Sequence, residues 1–304
     1  MSGTTGAAIR TEGLAKRYGR RRGLSGLDLQ VRTGEVFGYL GANGAGKTTT
    51  IRLLLDLIRP SGGTAEVLGL DPRRHGVALR RRLGYLPGDF TVEARQPVRE
   101  LLTYLGNLRG GVPRGRTEAL AARLDLDLGA RIRSLSRGNR QKVGLVQAFM
   151  HEPELLILDE PTTGLDPLVQ QRFLAMVAEA KAAGQTVFMS SHVLSEVQQS
   201  ADRVGIVRAG RLVAVEEVEA LRSRAVRRVE IRFDAPVPAD AFSGLPGVSD
   251  LTVEGAVVRC RLSGPADPLL KTAARFTAVS VLAEEPDLEA LFLAHYSEED
   301  GSAA

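Results

Sequence analysis

Residues 41–49 read GANGAGKTT, and this segment constrains the fold more tightly than any other part of the chain. It fits the pattern G-x-x-x-x-G-K-[ST] at every fixed position, between the apolar run VFGYL and a stretch that favours a helix. A glycine-rich backbone in this context turns its N–H groups inward around phosphate, and the helix start adds the positive end of a dipole. The segment therefore predicts a phosphate-binding loop that follows a buried strand of an α/β fold.

Every residue of this loop is predicted to contact a bound nucleotide. The ammonium group of Lys47 is expected to reach the β- and γ-phosphates, and the hydroxyl of Thr48 is expected to ligate Mg²⁺. ATP and Mg²⁺ are thus the expected ligands. The predicted nucleotide-binding residues of the loop are Gly41, Ala42, Asn43, Gly44, Ala45, Gly46, Lys47, Thr48 and Thr49.

A second segment, ELLILDE at 154–160, ends an apolar strand with two carboxylates. Ligands bind at the carboxyl ends of parallel strands, so Asp159 is predicted to contact Mg²⁺ directly or through water. Glu160 is one residue farther along, so its side chain points another way and can polarise an attacking water. Thr48 with Asp159 is therefore the predicted metal site, and Glu160 is the predicted catalytic base.

The remaining pattern up to about residue 219 alternates between strands and helices. Apolar strands are predicted at VFGYL, ELLILDE and QTVFMSS, and the stretch from 97 to 150 is predicted to be rich in helix. Such alternation implies a mostly parallel sheet whose two faces are covered. Near residue 220 the pattern changes to short alternating strands, RRVEIRF and AVVRCRL, with helices at DPLLKTAARF and DLEALFLAHY.

These patterns divide the chain into four parts. We assign a disordered N-terminus at 1–8, a nucleotide-binding domain at 9–219, a small α+β domain at 225–296 and a disordered tail at 297–304. A split β-α-β topology is one arrangement that the order of elements in the third part allows.

Composition limits where the chain works and what it binds. Cys260 is its only cysteine, so no internal disulfide forms and a reducing cytosol is expected. The N-terminus lacks the apolar core of a secretory signal, and no run reaches the roughly 18–20 apolar residues of a membrane span. The net charge is +4, with arginine clusters at 17–23, 71–76 and 79–85. We assign these clusters to solvated surface and expect no nucleic-acid partner, because no aromatic residues are interleaved for base stacking.

The order and spacing of the segments over about residues 9–219 resemble the ATP-binding cassette (ABC) family. GANGAGKTT looks like its phosphate loop, LLILDEP like its second acidic segment, SLSRGNRQK at 134–142 like its signature loop, and TTGLDP at 162–167 like the loop after the catalytic glutamate. His192 resembles the family's switch histidine, placed to contact the γ-phosphate and the attacking water, and Tyr18 its adenine-stacking aromatic residue. The resemblance implies a P-loop NTPase cassette with a mostly parallel sheet core, an antiparallel β subdomain and a helical subdomain.

The resemblance also implies a partner for the second phosphate-contacting segment. Two cassettes of this family pair head to tail, and each ATP lies between one phosphate loop and the other subunit's signature loop. Ser136 and the amide of Gly138 would thus contact the γ-phosphate bound by the partner's copy of Lys47, and Asp166 would organise the facing subunit. A homodimer with two equivalent sites is expected.

Two positions depart from the family's pattern. Arg137 replaces the first glycine of the signature pair, while Ser136 and Gly138 are retained. In the segment GYLPGDF at 84–90, Gly88 occupies the position where the family carries a glutamine that contacts Mg²⁺, and Asp89 is a substitute that would act through water.

The ending EEPDLEALFLAHY resembles ATPase subunits of bacterial drug and antibiotic exporters. This branch implies a separate polytopic membrane subunit, docked through the groove around 84–110, and a cytoplasmic location at the inner face of the membrane. The cargo would be drug-like or another small hydrophobic molecule. Two alternatives remain: a soluble ABC ATPase that acts on ribosomes or nucleic acid, and an import ATPase with a regulatory C-terminal domain.

Overall fold

The computed structural model describes residues 6–19, 21–92, 95–224 and 226–284, which divide into one unit ending at Glu216 and another starting at Glu217. The strands of the first unit are β1 (Ala7–Tyr18), β2 (Arg21–Arg32), β3 (Val36–Leu40), β4 (Gly62–Val67), β5 (Leu83–Leu86), β6 (Leu155–Asp159), β7 (Thr186–Ser191), β8 (Arg203–Arg208) and β9 (Arg211–Glu217). Its helices are α1 (Lys47–Leu54), α2 (Gly76–Arg82), α3 (Val98–Asn107), α4 (Arg114–Arg123), α5 (Arg137–Phe149), α6 (Pro167–Ala182) and α7 (Leu194–Ser200).

A six-stranded sheet with the order β5-β6-β7-β3-β8-β9 forms the centre of the first unit. Strand β3 pairs in parallel with β7 and β8, and β6 pairs in parallel with β5 and β7. Strands β3, β6 and β7 are buried along their whole length, as their nearly continuous apolar sequences require. The parallel sheet predicted from sequence is confirmed, and the carboxyl ends of β3, β6 and β7 lie at one edge.

Two further layers complete this unit. Strands β2, β1 and β4 form an antiparallel sheet whose apolar side chains pack with α1 and one face of the parallel sheet in a single core cluster. Helices α3 to α6 pack over the opposite face in a second cluster that includes Leu145, Phe149 and Phe173. The predicted fold class, an ABC cassette with parallel, antiparallel and helical parts plus a small α+β domain, is confirmed.

The second unit contains helix α8 (Val218–Arg224), strands β10 (Arg227–Phe233), β11 (Val248–Glu254) and β12 (Val257–Leu262), helix α9 (Asp267–Ala273) and strand β13 (Ala278–Ala283). The sheet order β11-β12-β10-β13, with antiparallel neighbours, is that of a split β-α-β arrangement. Phe233, Phe242 and Phe276 pack together in its core. Strand β11 was not predicted, because VSDLTVE places charged residues among few apolar ones.

Three predicted segments, namely the disordered N-terminus, the last helix and the tail, lie at or beyond the ends of the described chain. Strand β1 begins at Ala7, before the predicted end of the disordered N-terminus at residue 8, because the backbone N–H and Oγ1 of Thr33 both donate to the carbonyl of Gly6. Residues 1–5, the predicted last helix at 287–296 and the predicted tail at 297–304 lie outside the described residues. Within those residues, no helix combines the length and hydropathy that crossing a membrane requires.

The stability of the first unit is expected to fall in acid because of His151. Burial, and then the adjacent Arg109 guanidinium, lower the pKa of His151 from 6.5 to about 4. Between these pH values the unfolded chain binds a proton that the folded chain rejects, so the free energy of unfolding decreases as the pH falls from about 6.5 toward 4. We expect a loss of about 2 kcal/mol, allowing for partial exposure of the ring.

Chemical denaturation at pH 7.5 and pH 4.5 measures this effect. The free energy of unfolding should differ less between the two pH values in His151→Gln, whose amide oxygen still accepts from Arg109. The full difference should persist in the control His75→Gln, because His75 is exposed. An equal pH dependence in all three proteins would contradict the assignment.

Candidate active site

The loop between β3 and α1 has the conformation that its glycines permit. Gly44 and Gly46 adopt positive φ values of 81° and 115°, a region that side chains with a Cβ disfavour. A Cβ on Gly41 would lie 2.4 Å from the carbonyl oxygen of Val207, so this close approach also requires glycine. Gly46 caps α1 without a side-chain hydrogen bond, so the N–H groups of the first turn remain directed at the loop. The local backbone therefore suits an anion.

Thr48, Asp159 and Ser190 form a buried chain of hydrogen bonds beside the loop. Oγ1 of Thr48 donates to Oδ2 of Asp159 at 2.8 Å, and Oγ of Ser190 donates to Oδ1 of the same carboxylate at 2.6 Å. Asp159 is 1% exposed. A carboxylate and a hydroxyl are oxygen donors of the kind that Mg²⁺ prefers, and a site with few protein ligands is usual for this ion because it retains waters and nucleotide oxygens. These residues fit a nucleotide-bound Mg²⁺.

Glu160 lies between Lys47 and His192. Its Oε1 is 3.1 Å from Nζ of Lys47, and its Oε2 is 2.6 Å from Nδ1 of His192. Because a carboxylate only accepts, the hydrogen of this second contact is on Nδ1 of His192. Nζ of Lys47 also donates to the carbonyl of Gly41 at 2.6 Å. The structure thus brings the predicted lysine, glutamate and histidine together above the loop.

The backbone at Glu160 has an uncommon conformation. Its φ is +50°, a value uncommon for a residue other than glycine, and its N–H donates to the carbonyl and Oγ of Ser190. The turn directs the carboxylate into the cavity, whereas the preceding Asp159 points at Thr48. Left-handed residues that are held by surrounding hydrogen bonds are concentrated at active sites.

A cavity of about 360 Å³ lies above the loop, with the carboxylate of Glu160 at one side and the ring of Tyr18 at another. The ring of Tyr18 is 46% exposed, and a Cβ on Gly23 would lie 2.7 Å from it, so only glycine leaves the ring in this position. The predicted loop residues that line the cavity are Ala42, Asn43, Gly44, Gly46, Lys47, Thr48 and Thr49. Gly41 and Ala45 are not part of this lining, and a Cβ on Gly41 would lie 3.0 Å from Cβ of Ala45.

The predicted signature residues lie elsewhere. Ser136 caps α5 by accepting from the N–H of Asn139, and Asp166 caps α6 by accepting from the N–H of Val169. The latter hydrogen bond lowers the pKa of Asp166. Within the described part of the chain, neither these two residues nor Gly138 line the cavity above the phosphate loop. One chain therefore carries the two predicted phosphate contacts at separate places.

Gly88 lies against the carboxylate of Asp159, the predicted metal ligand. A Cβ on Gly88 would be 3.3 Å from Cγ and Oδ2 of Asp159, so the position where the family carries glutamine is indeed beside the predicted metal ligand. Asp89, the predicted substitute, is exposed. The chain thus has backbone, rather than a side chain, next to Asp159 at this point.

Sequence reasoning missed three residues of the site. Ser190 orients Asp159, Gln141 donates from α5 to the carbonyls of Glu160 and Pro161, and Gly23 makes room for Tyr18. Ser190 could have been found from the sequence, because an apolar strand that ends in two serines, as β7 does, delivers hydroxyl groups to the same sheet edge as Asp159. Gln141 and Gly23 act through tertiary contacts that leave no local pattern.

Known proteins resemble this chain in sequence and in fold. The sequence profile of a family described as ABC transporter matches residues 24–163. The chain is 36% identical over 301 residues to a daunorubicin resistance ATP-binding protein of Streptomyces coeruleorubidus, covering 94% of this chain and 95% of that protein. It is 34% identical to a bacitracin transport ATP-binding protein of Enterococcus faecalis, with 83% of each chain covered. A solved ATP-binding subunit of an ABC transporter superposes with a TM-score of 0.66 at 29% identity, covering 71% of this chain and 92% of that one.

Proposed function

The chain belongs to the ABC transporter family and is one of its ATP-binding, ATP-hydrolysing subunits, and from this premise we propose that it works as a head-to-tail homodimer that drives a separate membrane subunit. The observation that carries the proposal is the separation of the two phosphate contacts. Lys47 and Glu160 line a cavity that Ser136 and Gly138 do not reach, whereas Ser136 is exposed at the start of α5. A second copy rotated about a two-fold axis supplies the missing half to each cavity.

In this proposal the residues of the cavity have distinct roles in hydrolysis. Lys47 and the loop amides neutralise the phosphate oxygens, and Tyr18 provides an aromatic surface for the adenine. Glu160 accepts a proton from the attacking water, while His192 holds its carboxylate at 2.6 Å. Thr48 and Asp159 would hold Mg²⁺, which supplies charge neutralisation at the β- and γ-phosphates. The partner's Ser136 and Gly138 complete the contacts to the γ-phosphate.

A second cavity is the proposed binding site for a segment of the membrane subunit. It has a volume of about 400 Å³ and lies beside β5, α3 and the loop after β5. Its lining is mostly apolar and includes Leu57, Leu83, Phe90, Leu101 and Leu105. Leu57 is 53% exposed and continues the apolar lining to the surface, so the groove presents a contiguous apolar patch of the kind that binds a partner. We assign this groove to a short segment of the membrane subunit, which would hold the ATPase at the inner face of the membrane.

Export of a drug-like or other small hydrophobic molecule is the transport that the relatives favour. The printed names of two relatives refer to daunorubicin resistance and bacitracin transport, and the first relative matches along nearly the whole chain, including the second unit. The two alternatives, an import ATPase and a ribosome-associated ATPase, would share the cavity above the phosphate loop, so the cavity itself does not separate the three functions.

Affinity isolation from membranes tests the proposal. A tagged chain should co-purify with a polytopic membrane protein, and Leu57→Asp should abolish the association while ATP binding continues. Leu270→Asp is the control, because Leu270 is 49% exposed in the second unit and lies outside the groove. Recovery of ribosomes, or of an importer with its substrate-binding protein, would overturn the export assignment.

A further inference from the structure

Gln141 is a buried polar residue about one turn after the start of α5, and the described hydrolysis does not use it. Gln141 is only 5% exposed, and its amide group contacts the turn that follows β6. Nε2 donates to the carbonyl of Pro161 at 3.0 Å and to the carbonyl of Glu160 at 3.3 Å. We propose that Gln141 is a positioning residue that sets the orientation of Glu160.

The turn at Glu160 needs such support. Its φ of +50° is a strained conformation, and the preceding strand and the N–H contacts to Ser190 hold only its amino side. On the carboxyl side, the N–H of Thr163 donates to the carbonyl of Glu160 at 3.2 Å within the turn itself. The side chain of Gln141 connects this side of the turn to α5 through hydrogen bonds to the carbonyls of Glu160 and Pro161.

The same part of α5 is packed tightly on the loop that follows Glu160. A Cβ on Gly138 would lie 2.6 Å from the carbonyl oxygen of Gly164, so the first turn of the helix and this loop are in direct backbone contact. The stem of Arg137 lies against Gly164 from the other side, at 3.8 Å from the position of a Cβ there. The start of α5 therefore packs directly against the loop that follows Glu160.

This arrangement links the two sites of the dimer, and the inference rests on the proposed function in that respect. Ser136 and Gly138 at the start of α5 would contact the partner's nucleotide, while Gln141 on the same helix holds Glu160 at the chain's own nucleotide. Engagement of the signature loop by one γ-phosphate would thereby set the catalytic carboxylate for the other. Packed elements and hydrogen bonds can carry coupling between sites, and the two hydrogen bonds of Gln141 join α5 to the turn at Glu160.

Gln141→Met tests the assignment, because methionine has a similar shape but donates no hydrogen bond. We expect kcat for ATP to fall about 10- to 100-fold, the loss that a small misplacement of a catalytic group causes, with KM for ATP unchanged because the phosphate loop is untouched. Steady-state ATPase kinetics on the full chain, at a concentration where the parental protein is active, provide both constants.

The matched control is Gln185→Met. The amide of Gln185 donates to the carbonyl of Pro153, the same kind of contact, but at the amino ends of β6 and β7, the edge of the sheet opposite the cavity. It should lower the melting temperature without lowering kcat. Equal kcat values for Gln141→Met and the parental chain, or equal kcat losses for both variants, would overturn the inference.

Failure of the proposed function is distinguishable from failure of this inference. ATP-dependent dimerisation can be measured for both glutamine variants in a Glu160→Gln background, where turnover is not required. If those dimers form and the kcat of Gln141→Met in the active background is parental, the dimer proposal stands and the positioning role does not.

Discussion

Replacing Glu160 by glutamine is expected to slow ATP turnover by about 100- to 10,000-fold, the range that loss of a general base produces, while leaving ATP binding intact. The amide cannot take a proton from water, but it has nearly the same shape as the carboxylate beside Lys47 and His192. Removal of a negative charge next to the phosphate site also relieves repulsion of the γ-phosphate. The nucleotide should therefore persist, and with it the dimer that the nucleotide holds together.

Light scattering with size-exclusion chromatography should detect an ATP-dependent dimer of Glu160→Gln that survives for longer than the parental dimer. Lys47→Ala is the control for the nucleotide requirement, since it lacks the ammonium group that contacts the phosphates and should remain monomeric. Hydrolysis by Glu160→Gln near the parental rate would show that Glu160 is not the base.

Replacing Ser136 by arginine should abolish turnover and leave ATP binding by a single chain unchanged. Ser136 is exposed and lies outside the cavity that contains Lys47 and Glu160, so the arginine side chain has room in an isolated chain. In the proposed dimer the same side chain would enter the space of the partner's γ-phosphate. Ser136→Arg should therefore lose ATP turnover while it retains ATP binding. If each cavity worked alone, the substitution would leave turnover unchanged as well.

Mixing two inactive variants gives the sharpest form of this test. A dimer of one Ser136→Arg chain with one Lys47→Ala chain contains one intact site, formed by the loop of the first and the signature of the second. Random pairing makes half of the dimers mixed, with one intact site each, so about one quarter of the parental rate is the upper bound for independent sites. Coupling between the two sites would reduce the recovered rate below this bound. Ser243→Arg, at an exposed serine of the second unit, is the control for a surface arginine. No recovery on mixing, together with loss of ATP binding by Ser136→Arg alone, would refute a site shared between chains.

The placement of Lys47, Thr48, Asp159 and Glu160 at one edge of the sheet was predictable because each position depends on a short segment. A glycine pattern before a helix sets the loop, and an apolar run that ends in carboxylates sets the end of a buried strand. Gly88 shows the limit of this approach. Sequence identified it as a departure from the family, but only the structure shows how close to Asp159 it lies, with a Cβ position 3.3 Å from the carboxylate.

The residues that support Asp159 and Glu160 are set by long-range packing and strand register, which the sequence did not reveal. Ser190 meets Asp159 because β6 and β7 pair in a register that places these two residues side by side, although they are 31 positions apart in the chain. Gln141 meets the turn at Glu160 because α5 packs across that end of the sheet. Neither pairing has a local signal, since each depends on how the apolar faces of separate elements fit together.

The amino-acid sequence by itself determined the chemistry of this protein: a loop that must fold around phosphate, a strand that must end in carboxylates, and the edge of the sheet where both arrive. These features follow from local backbone preference and from the direction of parallel strands. Tertiary structure alone decided which distant side chains support the carboxylates, and that Ser136 lies away from the cavity of its own chain. Those outcomes depend on long-range packing, in which each contact is set by two segments at once and can be read from neither separately.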